Sequence, residues 1–301
     1  MSPDVSIIIP FYQKHSTLER CLSSILFKKL QFEIILIDDG SNPPLDVSVQ
    51  EKFANLTCHR FENAGPGIAR NRGASLANGN YLLFLDADDF LDAEFEANML
   101  SAVQKKEDVI LGGFQYLNIP RPRLPFFQND QKIPSYLDVK EMGLADFRKA
   151  CDFFAAGTCL LKRSVFEKTK GFFPDYKVLF GEDIFLWFQV LLVAESVFRI
   201  PEIVVWIDDA QSDLGISVRK NRPVSILAFC HSSQFYPVCK SKEPKFVNQF
   251  MKEYRLEAAF QLVREGRFRE IRSLAGKFPN LLLSMPLLNF MIKRFLRYGT
   301  R

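Results

Sequence analysis

Histidine is scarce in this sequence. The 301 residues include three, His15, His59 and His231, and none stands in a partnered arrangement. They read as structural or surface residues. The six cysteines, Cys21, Cys58, Cys151, Cys159, Cys230 and Cys239, form no C-x-x-C pair and have no histidine at metal-ligand spacing. This excludes a disulfide framework or zinc site and fits scattered reduced thiols in a cytosolic protein. Long apolar runs are also missing. The longest uncharged stretch, Phe278 to Ile292, is interrupted by Pro279 and Pro286, whereas a spanning helix needs about 20 mostly apolar residues. The opening MSPDVSIIIP has an acid where a signal peptide wants a base, and its apolar run is short; it begins as a strand. Neither G-x-x-x-x-G-K-S/T nor G-x-G-x-x-G occurs, so P-loop kinases and ordinary dinucleotide enzymes lack support. Internal repeats and low-complexity segments are absent too.

What is present is a large apolar fraction and a divided charge. Hydrophobic residues make up 48% and charged residues 25%, enough for a sizeable core and unlike a disordered chain. Thirty phenylalanines exceed what a core of this size demands and leave room for some on a binding surface. The formal charge is +4, but residues 1–239 carry 25 basic and 30 acidic side chains while residues 240–301 carry 14 and 5. The first part is therefore acidic, net −5, and the last fifth strongly basic, net +9.

Periodicity predicts an α/β fold, a mainly parallel sheet flanked by helices. VSIIIP (Val5–Pro10), EIILID (Glu33–Asp38) and YLLFLD (Tyr81–Asp86) are short continuous apolar runs, as expected of strands buried on both faces. Between them lie a helix capped by Ser16 or Thr17, a weak strand near Thr57 to Phe61 and a helix from Pro66 to Ala77. Further helices are expected over 94–105, 163–169, after Gly181, and over 246–264 and 268–275, with strands over 108–112 and 203–207. A catalytic domain over 1–235 and a basic helical appendage over 236–301 follow from this pattern.

Three acidic clusters fall where an α/β sheet holds its ligands. Asp38 and Asp39, with Gly40 and Ser41, follow the second strand; they make either a plain turn or carboxylates that accept from a nucleobase or ribose. Asp86, Asp88 and Asp89 follow the third. Asp86 and Asp88, two residues apart in extended backbone, point to one side and would repel unless a cation or hydroxyls lay between them. Asp89 or Asp92 could cap the next helix, but one cap does not account for four acids in seven residues. Glu182 and Asp183 open a helix, where acids either complement its dipole or provide a general base facing a cleft. Arg70 and Arg72 lie where a Gly-rich loop enters a helix, either on an exposed helical face or at a place suited to phosphate.

Taken in order, VSIIIPFYQ, CLSSIL, EIILIDDGS, NAGPGIARNRGASLANGNYLLFLDADD, AAGTCLLKRSVFEKTKGFF and GEDIFLW resemble the family 2 glycosyltransferases of GT-A fold over residues 4–220. The resemblance implies an inverting transferase that takes a sugar from a nucleotide diphosphate donor, UDP-sugars favoured, with Mg2+ or Mn2+. It implies that Pro10 and Phe11 lie beside the nucleotide, that Asp39 with Asp38 hydrogen-bonds the base, and that Arg70 lies near base or phosphates. Asp86 and Asp88 match the family's DXD positions, toward ribose and metal respectively. Asp183 matches the catalytic base, with Glu182 beside it toward acceptor or sugar hydroxyls. One departure stands out: where many relatives have a histidine after the base helix, WIDDAQSDLGISVRK has none, leaving Asp208, Asp209 or Gln211 as substitutes and Arg219 and Lys220 for the phosphates.

The chemistry agrees with that resemblance. In-line displacement at an anomeric carbon needs a base for the acceptor proton and a cation for the departing diphosphate. A retaining hydrolase also uses two carboxylates but needs neither metal nor nucleotide pocket. A sugar-phosphate nucleotidyltransferase would carry a glycine-rich basic loop near the N-terminus, where PFYQKHST stands instead; a non-catalytic nucleotide-sugar-binding protein would not need Asp88 and Asp183. The acceptor class that follows is a glycan or lipid-linked glycan of cell-surface polysaccharide synthesis. The tail pattern over Leu287–Tyr298 makes a helix that either packs on the main domain or lies on an anionic membrane surface. The expected setting is thus cytoplasmic, with peripheral attachment to the inner face of the membrane through the tail. Nucleic acid is excluded as a partner, since aromatics and basic stripes do not coincide in a known module.

Overall fold

A computed structural model of the chain describes residues 2–46, 48–53, 55–119, 121–126, 133–175, 181–208 and 224–281. The first unit runs β1 (Val5–Phe11), α1 (His15–Ser23), β2 (Phe32–Asp38), α2 (Ser48–Lys52), β3 (Leu56–Arg60), α3 (Pro66–Leu76) and β4 (Tyr81–Phe84). There follow β5 (Phe90–Leu91), α4 (Phe95–Gln104), β6 (Val109–Tyr116), β7 (Ser135–Tyr136), α5 (Leu144–Phe153), β8 (Cys159–Lys162), α6 (Arg163–Phe166), α7 (Glu182–Val193) and β9 (Val197–Ile207). Two helices close the described chain, α8 (Pro244–Glu265) and α9 (Phe268–Lys277).

The strands form one sheet in the order β3-β2-β1-β4-β8-β6-β9-β5, with β7 added on β9. Its long ladders, β1 with β2 and β4, β2 with β3, and β6 with β9, are parallel; the antiparallel ladders around β8, β5 and β7 pair two or three residues each. The mixed, mainly parallel sheet expected from the apolar runs is therefore present. Along β1 the side chains alternate between two cores: Ile8 joins one with Ile35, Ile37, Leu82 and Phe84, while Val5, Ile7 and Ile9 join the other with Ile34, Leu36 and Leu83. Both faces are covered, which is why these strands read as continuous apolar runs. The second core is closed by Leu18, Cys21 and Leu22 of α1 and Phe95, Met99 and Ala102 of α4.

The first core is closed by α3, α5, α7 and α8. Every residue of α7 from Ile184 to Val193 is buried, as a helix apolar on all sides must be. Helix α5, absent from the expected elements, packs Phe147, Ala150 and Cys151 inward. Helix α8 meets α5 and α7 through rings: Phe147 lies 5.2 Å from Phe246 and 5.4 Å from Phe250, and Phe188 stacks on Phe250 at 4.9 Å. Each such side chain contributes about 1.5–3 kcal/mol by leaving water, against about 0–1 kcal/mol for an exposed ion pair. The basic helical region is thus joined to the sheet by apolar packing, and the division at residue 235 runs between elements that share one core. The tail pattern over Leu287–Tyr298 lies outside the described residues, and among those described no helix is long and apolar enough to cross a membrane. All six cysteines are free.

Local starts differ in two places from expectation. Helix α1 begins at His15 without a side-chain cap. Thr17 is used otherwise, its hydroxyl donating to the Ala87 carbonyl at 2.9 Å. Asp89 does not cap α4 and accepts from the Asp208 amide at 3.0 Å; Asp92, two residues before the N-cap Glu94, does hold the helix start, accepting from the Glu94 amide at 3.0 Å as well as from the Trp206 indole at 2.9 Å.

Candidate active site

The sheet order places β4 on one side of β1 and β2 on the other. Chain connections diverge there, and the carboxyl ends of these strands border a crevice of the kind in which open α/β sheets bind ligands. At its floor Phe11 is fully buried in the second core, so what it presents is backbone; Pro10 is half-buried. The Phe11 carbonyl accepts from the Asp39 amide at 2.9 Å.

Asp38 and Asp39 are both buried, and each holds the chain around it. Asp38 accepts from the Ser41 amide at 2.8 Å and pairs with Arg60 at 2.5 Å. Burial pushes its carboxyl up, but the Ser41 amide and hydroxyl, the Leu45 amide and the Arg60 charge outweigh that and hold it below the usual range. Asp39 accepts from the Gly65 amide at 2.8 Å and the Ala64 amide at 3.0 Å, with Arg72 at 3.4 Å. Here burial wins and its carboxyl lies above the usual range. These bonds fix the 61–65 loop, and through it the start of α3.

That start carries Arg70, buried and centred between two acidic clusters. Its guanidinium pairs with Asp86 at 2.6 Å and with Glu182 at 3.4 Å, and lies over the Phe172 ring at 5.2 Å. Burial disfavours its charge, but Asp86, Glu182 and Asp183 together hold it more strongly protonated than usual. Gly67 makes the approach of α3 to α7 feasible: a Cβ there would stand 3.0 Å from the Phe173 carbonyl and 3.2 Å from Glu182 Cγ. Gly181, with φ of 90°, turns the chain into α7 in a conformation that other residues rarely adopt. Burial, then the charge of Asp183, pushes Glu182 up to about 7 against the pull of Arg70. Asp183 is raised as well, by burial opposed by Arg70. Its Oδ1 accepts from the Ile184 amide at 2.7 Å. A carboxylate with raised basicity beside a cleft is suited to accept a proton near neutral pH.

The loop after β4 is held by α1 and by the end of β9. Asp88 pairs with Lys14 at 3.0 Å, and its carbonyl accepts from Arg20 at 2.8 Å. Burial and the charge of Asp86 raise the Asp88 carboxyl, with Lys14 opposing. Arg20 also pairs with Asp208 at 2.6 Å, and Asp208 is buried. Asp89 is held well above the usual range by burial and by Asp86 and Asp88. Lys14 and Arg20 do not stand out in the sequence, where their signal is limited to a basic residue in the loop after β1 and another on the first turns of α1; Thr17, expected as a cap, holds the Ala87 carbonyl. Of the substitutes weighed for the missing histidine, Asp208 adjoins this loop, while Asp209, Gln211, Arg219 and Lys220 lie outside the described residues.

Asp86 and Asp88 offer hard oxygen donors, each facing one basic side chain. Among the described residues no group of three or more His, Cys, Asp or Glu side chains could hold an ion unaided. That donor set fits Mg2+ or Mn2+ held by one or two carboxylates with water and substrate phosphate completing the shell, and does not fit an all-protein cage.

Buried parallel strands ending in acidic turns, with a basic helix start between them, define an α/β protein with its candidate site at the strand ends. The family model "Glycosyl transferase family 2" matches residues 6–169, more than half of the chain, and the chain belongs to that family. An uncharacterized glycosyltransferase of Rickettsia typhi is 27% identical over 202 residues, 65% of this chain and 61% of that protein. The poly(ribitol-phosphate) beta-glucosyltransferase of Bacillus spizizenii is 31% identical over 123 residues, 38% of this chain and 19% of that protein. The chain thus spans less than two thirds of the length of these relatives. Among solved structures, residues 1–349 of S. aureus TarS in complex with UDP-GlcNAc superimpose with a TM-score of 0.67 at 18% identity, covering 92% of this chain and 81% of that one. This likeness establishes the GT-A fold.

Proposed function

We propose that the chain is an inverting glycosyltransferase that moves a hexosyl or N-acetylhexosaminyl group from a nucleotide diphosphate sugar to a hydroxyl of a glycan or lipid-linked glycan. The observation that carries this reading is Arg70, whose guanidinium joins Asp86 on the donor side to Glu182 beside Asp183. Donor and acceptor groups are thereby held within one cluster, as a single in-line displacement requires. A UDP-sugar is the favoured donor, supported by the UDP-GlcNAc complex of the TarS fragment. Cell-surface polysaccharide synthesis is supported by the relative named for poly(ribitol-phosphate).

In this reading Pro10 and the Phe11 backbone border the nucleotide. Asp38 and Asp39 serve the base through the turn and the 61–65 loop that they hold. Asp86 faces the ribose, and Arg70 compensates charge between Asp86 and the phosphates. Asp88, with Asp86 beside it, would hold Mg2+ or Mn2+, which when bound offsets the charge of the departing diphosphate. Asp183 takes the proton of the attacking hydroxyl while Glu182, tied to Arg70, orients acceptor or sugar hydroxyls. The test is a panel of nucleotide sugars screened with Mn2+ for thermal stabilisation and slow donor hydrolysis. One or more donors are expected to stabilise the wild type and not Asp88→Ala; no stabilisation by any donor would overturn the reading.

A further inference from the structure

The loop after β4 is grasped by the start of α1 at several points. The Thr17 hydroxyl donates to the Ala87 carbonyl at 2.9 Å, Arg20 donates to the Asp88 carbonyl at 2.8 Å, and the Cys21 thiol lies 3.5 Å from the Asp86 carbonyl. Lys14, immediately before this helix, is fixed from both directions. Its carbonyl accepts from the Thr17 and Leu18 amides at 3.3 and 3.2 Å, and the preceding Gln13, at a φ of 58°, donates its amide to the Ser41 hydroxyl at 3.1 Å. The backbone of Lys14 is thus tied to the acidic turn after β2 and to the acidic loop after β4 together. From that anchor its ammonium reaches Asp88 Oδ2 at 3.0 Å, and both side chains are largely covered, 21% and 17% exposed.

We propose that Lys14 is a resident counter-ion of Asp88, which holds the carboxylate while no donor is bound and transfers to the donor diphosphate when a divalent ion takes its place. The inference rests on the reading of Asp88 as the metal-holding carboxylate. The charge of Asp86 bears on Asp88, and Asp86 is paired with Arg70 as Asp208 is with Arg20, so that Lys14 is the basic side chain that meets Asp88 itself. Lysine suits this task better than arginine, because its ammonium is a compact point charge on a flexible stem and lets go of one oxygen for another. A diphosphate sharing an ion with Asp88 has oxygens within about 4 Å of that carboxylate, given metal–oxygen distances of about 2.1 Å, and so within reach of the same ammonium. The exchange couples two ligands. Lys14 competes with the ion in the absence of diphosphate and is drawn off when diphosphate arrives, so that donor and metal each tighten the other's binding by the same factor.

The experiment is titration of Mn2+ into the full chain, followed by calorimetry and by the electron spin resonance of free Mn2+, with and without UDP. Wild type, Lys14→Met, Lys14→Arg and Asp88→Asn are compared, with circular dichroism to establish that each is folded. Lys14→Met is expected to bind Mn2+ tighter than wild type without UDP, on the order of fivefold for loss of a partly exposed ion pair, and to show a smaller tightening on addition of UDP. Lys14→Arg is expected to restore the weak binding without UDP. Mn2+ affinity unchanged or weakened in Lys14→Met, while Asp88→Asn abolishes binding, overturns the counter-ion role and leaves the metal reading standing. Mn2+ binding that is absent from every form, or indifferent to Asp88→Asn, overturns the metal reading and this inference with it.

Discussion

The turn after β2 and the loop after β4 carry the same pattern, aspartates directly following a buried apolar strand, yet their carboxylates are satisfied in different ways. Asp39 accepts from two backbone amides and Asp38 from the Ser41 amide, so these side chains act as parts of the backbone. Arg60 and Arg72 add their charge to these amide bonds, whereas Asp86 and Asp88 are met by the side chains of Arg70 and Lys14. A carboxylate bonded to fixed amides cannot change partners without breaking the local fold. The Lys14–Asp88 pair, partly exposed on both sides, can exchange for a ligand at a cost of about 0–1 kcal/mol, whereas Arg70 is buried and its pair with Asp86 is held more firmly. Two similar motifs thus divide into a turn held by backbone amides and a loop whose carboxylates are met by basic side chains.

Substitution tests this division directly. Asp39→Ala leaves the part-buried Ala64 and Gly65 amides without their carboxylate partner and is expected to lower unfolding free energy by about 1–3 kcal/mol. Asp88→Ala, which also removes repulsion with Asp86 and Asp89, is expected to stay within about 1 kcal/mol of wild type. Urea midpoints in the opposite order would erase the distinction.

A smaller effect sharpens it on the acceptor side. Glu182 has a folded-state pKa pushed up to about 7 by burial and by Asp183. The folded chain therefore holds this proton more firmly than the unfolded one, and the resulting stability is present below the ordinary glutamate range and is lost as pH rises through about 7. Wild type is expected to lose on the order of 1 kcal/mol more than Glu182→Gln between pH 5 and pH 8. Parallel stability profiles for the two would place Glu182 outside the coupled cluster.

Much of the fold was legible because its signals are local. The apolar β-branched runs of β1, β2 and β4 follow from burial on both faces, and Gly181 and Gly266 mark the entry to α7 and the exit from α8. Helix α5 was missed although Phe147, Ala150, Cys151 and Phe154 repeat at helical spacing, because four charged residues, Asp146, Arg148, Lys149 and Asp152, are interleaved with them. At the site, the acidic clusters and Arg70 were legible as types at strand ends. Their pairing was not: Lys14 to Asp88 and Arg20 to Asp208 join residues far apart in sequence, brought together by where α1 and β9 lie in the sheet order. Nor was it legible that the Ala64 and Gly65 amides of the 61–65 loop would also bond the Asp39 oxygens.

The central claim is that the carboxylates gathered on Arg70 perform the transfer, with Asp183 as base. The most direct measurement is turnover of a donor that stabilises the wild type, compared between wild type and Asp183→Asn at matched melting temperature. The account predicts a fall of about 10²- to 10⁴-fold for loss of a general base, with donor-induced stabilisation retained. Turnover within a few-fold of wild type in a folded Asp183→Asn protein would contradict it.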